Sequence, residues 1–204
     1  MRKFKLVTTD NKILYEGFHR NLNQAIEYAV HHNVSLNGID LTDSDLQHIN
    51  LDGIRLSHAC FKGANLSGAN MSEAEFSDCD FSGSDLSNAC MCYSNFINCN
   101  LRCYSFCGAD ISMSSLSFCY FEGFSSLFLD FHKAFKLETL TFIHFAHKIS
   151  FSSPPTLIKQ GERLVAIIDK IMIYNHLPHT FDHNTTSESI LNNPQSKIQS
   201  MVDS

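Results

Sequence analysis

The sequence predicts that the central part of the chain is a repeat solenoid, a coil that turns through four sides and then stacks on itself. A large apolar residue returns at every fifth position from Leu36 to Phe121, eighteen times without a slip. The residue two positions earlier is mostly small, and the residue between them is often Asp or Asn. Residues twenty positions apart are alike. Self-similarity at a fixed period is the sequence signature of a repeat architecture.

A period of five fits neither of the regular secondary structures. On an α-helix five residues advance by about 500°, so the large residues would drift around the helix axis. On a flat strand an odd spacing sends them alternately to opposite faces. Either arrangement leaves half of them in water. The pattern is satisfied when the chain bends every five residues, and pairs such as Ser67-Gly68 favour a bend.

Four sides per turn follow from the residues that a stacked coil would place together. With four sides, Cys79 lies next to Cys99, and Cys119 follows in the same column. With three sides, Cys79 would stack on Ser94 and Ala109 instead. Columns of similar residues therefore favour four sides. The predicted structural core consists of the large residues at the centre of the repeat: Leu66, Met71, Phe76, Phe81, Leu86, Met91, Phe96 and Leu101.

These repeats resemble those of the pentapeptide-repeat proteins, whose motif is Ala-Asp/Asn-Leu-X-X. Residues 64–68 (Ala-Asn-Leu-Ser-Gly) and 69–73 (Ala-Asn-Met-Ser-Glu) match the motif closely, and the resemblance covers residues 34–123. It implies a mainly β fold, a right-handed quadrilateral parallel β-helix with the large residue and the residue two before it inside. Such a segment would make about 4.5 turns, a rod roughly 20 Å long at a strand spacing of ~4.8 Å. Tyr104 is too large for the small inward position, so we expect a bulge or an outward turn there.

Residues 1–33 are predicted to cap the first turn, because the open end of a solenoid invites aggregation. A hairpin is expected over residues 3–17, with its turn at residues 9–11. A helix then begins after Asn21, a residue type that favours the N-cap position, and stops at Asn33. Its apolar residues follow a helical spacing: Leu22, Ala25, Ile26 and Ala29. A hairpin and helix ahead of the repeats is similar to the N-terminal segment of some phage and bacterial members of the family.

Residues 124–183 are predicted to form a second, mostly β cap. The five-residue register fails at Ser126, and residues 156–174 are rich in the β-branched side chains that favour strands. A single helix over residues 162–176 is the alternative, since short apolar runs fit both structures. Residues 184–204 are mostly Ser, Thr, Asn and Gln, and this composition predicts a disordered tail.

The cysteines are predicted to be structural. All eight lie between residues 60 and 119, and Cys79, Cys99 and Cys119 fall on the small inward position. Cysteine replaces alanine there as a small apolar residue. Residues 90–92, Cys-Met-Cys, alternate between faces and lack the Cys-x-x-Cys spacing of zinc sites.

The eleven histidines include two candidate metal-binding groups. His144 and His147 are three positions apart, and a second group comprises His176, His179 and His183. Imidazole nitrogens on one surface could gather a metal ion. Neither group matches a specific metal-binding motif, so the sequence predicts solvated histidines and no bound metal or other cofactor.

Composition and motifs together predict a protein-binding role. The 204 residues carry a net charge of -6, which argues against a nucleic-acid-binding surface built on basic residues. The sequence has no apolar run of transmembrane length and no secretory signal, so a cytoplasmic location is expected. It also has none of the familiar catalytic motifs. We therefore expect a non-enzymatic, rigid protein-binding or scaffold module whose partner is another protein, with a homodimer as a further option.

Two alternative functions follow from the same resemblance. Residues 34–123 contain eleven acidic and three basic residues. Five of the acids crowd into one stretch: Glu73, Glu75, Asp78, Asp80 and Asp85. The resemblance implies a DNA mimic, since some pentapeptide-repeat proteins present an acidic rod to DNA gyrase or a topoisomerase in place of duplex DNA. It also implies a secreted bacterial effector, for which the polar tail would be the secretion signal.

Overall fold

The centre of the molecule is a β-solenoid of about four turns. The structure, a computed structural model, describes residues 1–144, 147–160, 163–168, 171–174 and 177–180. A hairpin and a helix precede the solenoid, and mostly β structure follows it. The fold class predicted from the sequence is confirmed.

The N-terminal hairpin and helix pack onto the first turn. Strands β1 (Arg2–Val7) and β2 (Ile13–His19) are antiparallel, and helix α1 (Leu22–His31) follows. The side chain of Asn21 accepts a 2.8 Å hydrogen bond from the backbone N–H of Gln24, which is the N-cap that the sequence predicts. The helix buries its apolar stripe in the same core as the first repeats: Ala25, Ile26 and Ala29.

Contacts between this unit and the solenoid are specific. The backbone N–H of Asp40 donates to Val7 O at 2.8 Å, which attaches the end of β1 to the first turn. From α1, Asn23 donates its side-chain amide to Gln47 O at 3.0 Å. The predicted hairpin and helix are therefore confirmed, and they cover the first turn.

Each turn of the solenoid has four faces. Face 1 is a parallel sheet of β3 (Arg55–Ser57), β4 (Glu75–Ser77), β5 (Asn95–Ile97), β6 (Ser115–Ser117) and β8 (Lys136–Glu138). The other faces are held by parallel bridges between outward residues twenty positions apart. These are Asp40, Cys60, Asp80, Asn100 and Tyr120 on face 2, Asp45, Asn65, Asp85 and Ser105 on face 3, and Asn50, Asn70, Cys90 and Asp110 on face 4. The twenty-residue stacking confirms the predicted four-sided turn.

The large repeat residues fill the interior. All eight residues of the predicted core are at most 1% exposed, and their aromatic rings stack from turn to turn. The Phe61 and Phe81 ring centroids are 4.7 Å apart, and Phe76 and Phe96 are 5.0 Å apart. Fully burying one such side chain contributes about 1.5–3 kcal/mol, so the interior columns supply most of the driving force for folding.

The polar residue before each large one closes the corner. Its side-chain oxygen accepts a hydrogen bond from the backbone N–H two residues further along the chain. This bond measures 2.9 Å from Ser82 to Asp80 and 3.0 Å from Ser112 to Asp110. Asp and Asn recur in the repeat because both carry this acceptor.

The residue two positions after each large one has a left-handed backbone. Its φ lies between 53° and 75° at nearly every corner from Asp43 to Gly123. Glycine adopts this conformation most easily, and other residues pay roughly 1–2 kcal/mol for it. The exception is the corner at Cys103, where Cys103 turns inward and Tyr104 is 78% exposed. The size of Tyr104 accounts for the outward turn that the sequence predicts.

The parallel pairing continues past Phe121, where the five-residue register ends. Strand β8 pairs with β6, and β9 (Leu140–His144) pairs with β7 (Tyr120–Glu122). The stacking distance changes from twenty to twenty-one residues, because Ser115 pairs with Lys136. Two short 3-10 helices lie within this turn: Phe124–Phe128 and Phe131–Lys133.

Antiparallel strands complete the C-terminal region. Strand β10 (His147–Phe151) pairs with β9. A separate antiparallel sheet contains β11 (Thr156–Gln160), β12 (Arg163–Ile168), β13 (Ile171–Tyr174) and β14 (Leu177–Thr180). Residues 163–168 and 171–174 are thus strands, so the alternative of one helix over 162–176 is wrong. The predicted tail, residues 184–204, lies outside the described residues.

No helix within the described ranges combines the length and the apolar character that a membrane-spanning helix needs.

Candidate functional site

Exposed large apolar side chains concentrate around face 1 in the last turns of the solenoid. We call them the apolar face: Tyr93, Ile97, Met113, Phe118, Tyr120 and Phe135. Their exposed fractions range from 38% for Tyr120 to 72% for Phe135. Scattered single apolar residues are normal on a protein surface, but a continuous group marks an interaction site.

The apolar face follows the two edges of face 1, and polar outward residues of β5 and β6, such as Asn95 and Ser115, lie between those edges. Tyr93 and Met113 occupy the corner between faces 4 and 1 on successive turns, about 4.8 Å apart along the stack. Phe135 continues this edge, since its backbone N–H donates to Ser114 O at 2.8 Å.

The opposite edge is also apolar. Ile97 lies on strand β5, and Phe118 forms the next corner directly after β6. Tyr120 lies beyond that corner at the start of β7 on face 2. The backbone N–H of Phe118 donates to Glu138 O at 2.8 Å, so this edge is fixed to the following turn.

Charged pairs lie between and beside the two apolar edges. Lys136 and Glu138, on strand β8, form a salt bridge of 2.6 Å. Arg102 and Glu122, on face 2, lie 3.8 Å apart. Large apolar side chains interspersed with polar and charged groups are compatible with a protein–protein interface, since such interfaces contain both.

Three members of the apolar face lie on left-handed corners. The φ angles of Tyr93, Met113 and Phe118 are 57°, 60° and 57°. A large apolar side chain here carries the cost of the backbone conformation, and each of the three is at least 46% exposed, so burial offsets only part of that cost. This combination favours a role in binding for these side chains.

The five acids of the predicted DNA-mimic surface are distributed around one turn. Glu75 lies on face 1, Asp80 on face 2 and Asp85 on face 3. Glu73 and Asp78 lie at the two corners that flank Glu75. Residues that are close in sequence therefore point away from the solenoid in different directions.

Several of these acids are already paired within the solenoid. Glu75 is 3.2 Å from Arg55. Asp80 accepts hydrogen bonds from the Ser82 backbone and from the side-chain amide of Asn100, both at 2.9 Å. These contacts give Asp80 a structural role at its corner, in addition to its charge.

The cysteines divide into an interior and an outward group, and all eight are free thiols. Cys79, Cys99 and Cys119 are buried, and each donates to a backbone carbonyl of the previous turn at 3.4–3.6 Å. Hydrogen bonding with the Cys119 thiol raises the pKa of Cys99 to about 12. All three thiols pack like alanine, and the raised pKa of Cys99 means that this thiol resists ionisation.

The triplet at residues 90–92 contains a site that the sequence analysis did not identify. Met91 points inward and is 1% exposed, so Cys90 and Cys92 both point outward from face 4. Their sulfur atoms lie 3.3 Å apart. The sequence does carry a signal for this pair, because residues two apart in an extended segment point to the same side. The Cys-x-x-Cys spacing of zinc sites does not include this pattern.

The histidine candidates are only partly described. His144 and His147 face each other at the end of the β9–β10 hairpin; His144 is buried and His147 is exposed. His179 lies in β14, and His176 and His183 lie outside the described residues. In the parts of the chain with described positions, no three or more His, Cys, Asp or Glu side chains form a group that could hold a metal ion.

Comparison with known proteins identifies the repeats. Residues 35–72 and 59–92 match the pentapeptide-repeat family model, with eight copies of the repeat. The resemblance predicted from the sequence is confirmed for this segment, which carries pentapeptide repeats. A search of curated proteins found no match.

Solved structures of pentapeptide-repeat proteins are similar to part of the chain. A pentapeptide-repeat protein of Nostoc PCC 7120, alr5209, is 29% identical over 49% of this chain and 80% of its own, with a TM-score of 0.43. Rfr23 of the cyanobacterium Cyanothece 51142 is 19% identical over 48% of this chain and 83% of its own, with a TM-score of 0.37. QnrB1, a plasmid-mediated fluoroquinolone resistance protein, is 21% identical over 42% of this chain and 54% of its own, with a TM-score of 0.35. The chain thus spans about half the length of QnrB1.

Proposed function

We propose that the protein is a non-enzymatic, rigid protein-binding module and that a partner protein binds its apolar face. The single observation that supports this most strongly is the placement of Tyr93, Met113 and Phe118 on exposed, left-handed corners. Tyrosine, phenylalanine and methionine are enriched in interfaces, where large side chains act as anchors. The partner is expected to contact both apolar edges with apolar groups of its own and to place polar groups over the strands between them.

The solenoid is well suited to hold such anchors in place. The backbone on either side of each corner is hydrogen-bonded to the turns above and below, as at Tyr93, whose N–H donates to Ser112 O at 2.9 Å. A preorganised surface loses little conformational entropy when a partner binds, which improves affinity. The corners therefore present the aromatic side chains in fixed positions.

Site-specific photocrosslinking in the native host tests this proposal. A benzophenone amino acid replaces Phe118 in one variant and Tyr104 in the matched control. Both are exposed aromatic residues, but Tyr104 lies at the corner between faces 2 and 3, where its backbone N–H donates to Ser84 O at 2.8 Å. We expect a discrete adduct with one other protein from position 118, no such adduct from position 104, and loss of the adduct when Met113→Ser is added.

The control outcomes distinguish the alternatives. Identical adducts from positions 118 and 104, or no adduct from either, would contradict the proposal. An adduct that contains only a second copy of the chain would replace the partner protein with a homodimer. Sedimentation of the purified chain at micromolar concentration then checks that homodimer independently.

The acidic DNA mimic that binds DNA gyrase or a topoisomerase is the second candidate. It is supported by the excess of acids over bases in residues 34–123. The distribution of the acids over three faces weakens it, since duplex DNA presents its phosphates along continuous lines. A supercoiling assay with and without the purified protein separates the two functions, because a protein-binding module of the proposed kind leaves gyrase unaffected.

The secreted effector is a third candidate, and it depends on residues outside the described part of the chain. Truncation at Asn184 followed by a translocation assay tests it, since loss of a C-terminal secretion signal would abolish export.

A further inference from the structure

Cys90 and Cys92 form a dithiol on the outer surface of face 4. The two sulfur atoms are 3.3 Å apart, and both residues are partly exposed. The Ser72 hydroxyl lies 3.1 Å from the Cys90 sulfur, on the turn above. The Cys-Met-Cys alternation holds both thiols on one side of a backbone that is bonded to its neighbours, as where Cys90 N–H donates to Ala69 O at 2.9 Å.

We propose that Cys90 and Cys92 are a peroxide-sensitive site at which an intramolecular disulfide forms and can be reduced again. The co-reactant is hydrogen peroxide or a small organic hydroperoxide. An accessible thiol beside a second thiol that can resolve its oxidised form is the arrangement that such chemistry requires.

The two thiols differ in pKa, and this difference supports separate roles for the attacking and the resolving thiol. Burial tends to raise the pKa of Cys90, but hydrogen bonding with the Ser72 hydroxyl and with the backbone and thiol of Cys92 outweighs it and lowers the pKa. Burial, together with the neighbouring Cys90, raises the pKa of Cys92 to about 12. Cys90 is assigned as the nucleophile because the Ser72 hydroxyl lies 3.1 Å from its sulfur, where it can stabilise the reactive thiolate, and Cys92 is assigned as the resolving thiol.

The reaction balances in two steps. The Cys90 thiolate attacks one peroxide oxygen, the O–O bond breaks, and the products are Cys90 sulfenic acid and hydroxide, or alkoxide from an organic hydroperoxide. The Cys92 sulfur then attacks the Cys90 sulfur, the S–O bond breaks, and water leaves with the proton of Cys92. Two thiols are oxidised and one peroxide is reduced; a thiol reductant reverses the change by exchange.

Closure needs only a short movement of the side chains. The S–S bond is about 2.05 Å long, so the sulfurs must approach by roughly 1.2 Å through rotation about the Cα–Cβ bonds. The other outward thiols offer useful contrasts. The Cys60 sulfur lies 3.2 Å from the Thr42 hydroxyl, and Cys107 is exposed.

The test treats the purified, fully reduced full-length chain with one equivalent of hydrogen peroxide and maps the cysteines by alkylation and mass spectrometry. We expect two of the eight free thiols to be lost, as one Cys90–Cys92 disulfide that dithiothreitol removes. In Cys92→Ser the disulfide is lost and Cys90 is trapped as a sulfenic acid by dimedone. Cys60→Ser, the matched control, leaves the disulfide unchanged.

Three results would overturn the proposal. The first is a Cys90–Cys92 dithiol that survives peroxide while Cys60 or Cys107 is oxidised. The second is a disulfide that joins Cys90 to another cysteine or to a second chain. The third is dimedone labelling of Cys90 that is the same in the parent and in Cys92→Ser, which would show that Cys92 does not resolve the sulfenic acid.

Discussion

The first and the last turns of the solenoid share one interior and differ in their outer surface. On the corner between faces 4 and 1, Gly53 and Glu73 are followed by Tyr93 and Met113 on the later turns. On the corner between faces 1 and 2, Asp78 is polar, whereas its equivalent two turns later, Phe118, is apolar. The backbone is the same at these positions, so the difference arises from the side chains alone.

In this repeat, the inward residues determine the fold, and the outward residues are free to serve other purposes. The large inward residue is apolar in every turn because it packs on the turns above and below, whereas the smaller inward position also accommodates the buried serines Ser84, Ser94 and Ser114. Outward positions have no such requirement, and a chain can vary them without changing its fold. A departure from polar residues there, as at Phe118 in the later turns, is the basis on which we propose a role in binding.

The largest effect on stability is expected from a substitution in the solenoid interior, which the first and the last turns share. Leu66→Asp places a charge at a position that is fully buried. An unpaired buried charge costs several kcal/mol, against a total stability of about 5–15 kcal/mol for a typical domain. We expect loss of the cooperative thermal transition measured by circular dichroism. The adjacent outward change Ser67→Ala should leave the melting temperature within a few degrees of the parent, and a parent-like melting temperature for Leu66→Asp would contradict the inward assignment.

A smaller effect on stability, but a large one on binding, is expected from Phe118→Gly in the later turns. The left-handed corner suits glycine, so unfolding should become harder by about 1 kcal/mol, measured as a higher melting temperature. Binding of the partner identified by crosslinking should weaken roughly 30-fold, as for an anchor worth about 2 kcal/mol. Asp78→Gly, on the same corner two turns earlier, tests the comparison directly: equal losses of affinity in both variants would remove the distinction between the two regions.

A third substitution separates hydrogen bonding from charge in the acidic stretch. Asp80→Ala removes the acceptor for Ser82 and Asn100, so we expect a loss of about 1–2 kcal/mol in urea unfolding. Asp80→Asn keeps an acceptor oxygen, as Asn70 does on its own corner, and should be close to neutral. A supercoiling assay in which Asp80→Asn abolishes an effect of the parent would instead favour the DNA mimic.

The smallest effect is expected from acidification. Hydrogen bonds from the Ser112 hydroxyl and backbone hold the pKa of Asp110 below its ordinary value of 3.8. A carboxyl group whose pKa is lower in the folded state stabilises that state above its ordinary pKa, and this contribution is lost as pH falls through the folded value. The melting temperature should therefore decline modestly below about pH 4. Ser112→Ala should flatten that decline; an unchanged slope would show that other carboxyl groups account for it.

Much of the solenoid could be predicted because the five-residue repeat that defines it is visible in short stretches of sequence. The five-residue spacing alone predicts that Phe76, Phe81 and Phe96 point inward, because only a chain that bends at this interval buries all of them. The C-terminal region was harder, because residues 163–168 and 171–174 are short apolar runs that suit helix and strand equally. Pairing with neighbouring strands decides between them, and the sequence does not display that pairing.

The candidate sites were difficult to predict from the sequence, because each depends on which residues are neighbours in space. Glu73, Asp80 and Asp85 are close along the chain, yet the corners turn them onto different sides of the solenoid. Tyr93 and Met113 are twenty residues apart, yet they are consecutive on one corner. The Cys90 and Cys92 sulfurs meet because Met91 is drawn inward between them.

The amino-acid sequence by itself determined the period, the inward residues and the four-sided turn, because an apolar side chain every five residues can leave water in only this way. The tertiary structure decided which outward residues share a surface, where the stacking distance becomes twenty-one residues, and which short runs are strands. The physical reason is that hydrogen bonds between turns set those relations, and outward side chains carry no burial requirement that would reveal their neighbours in advance.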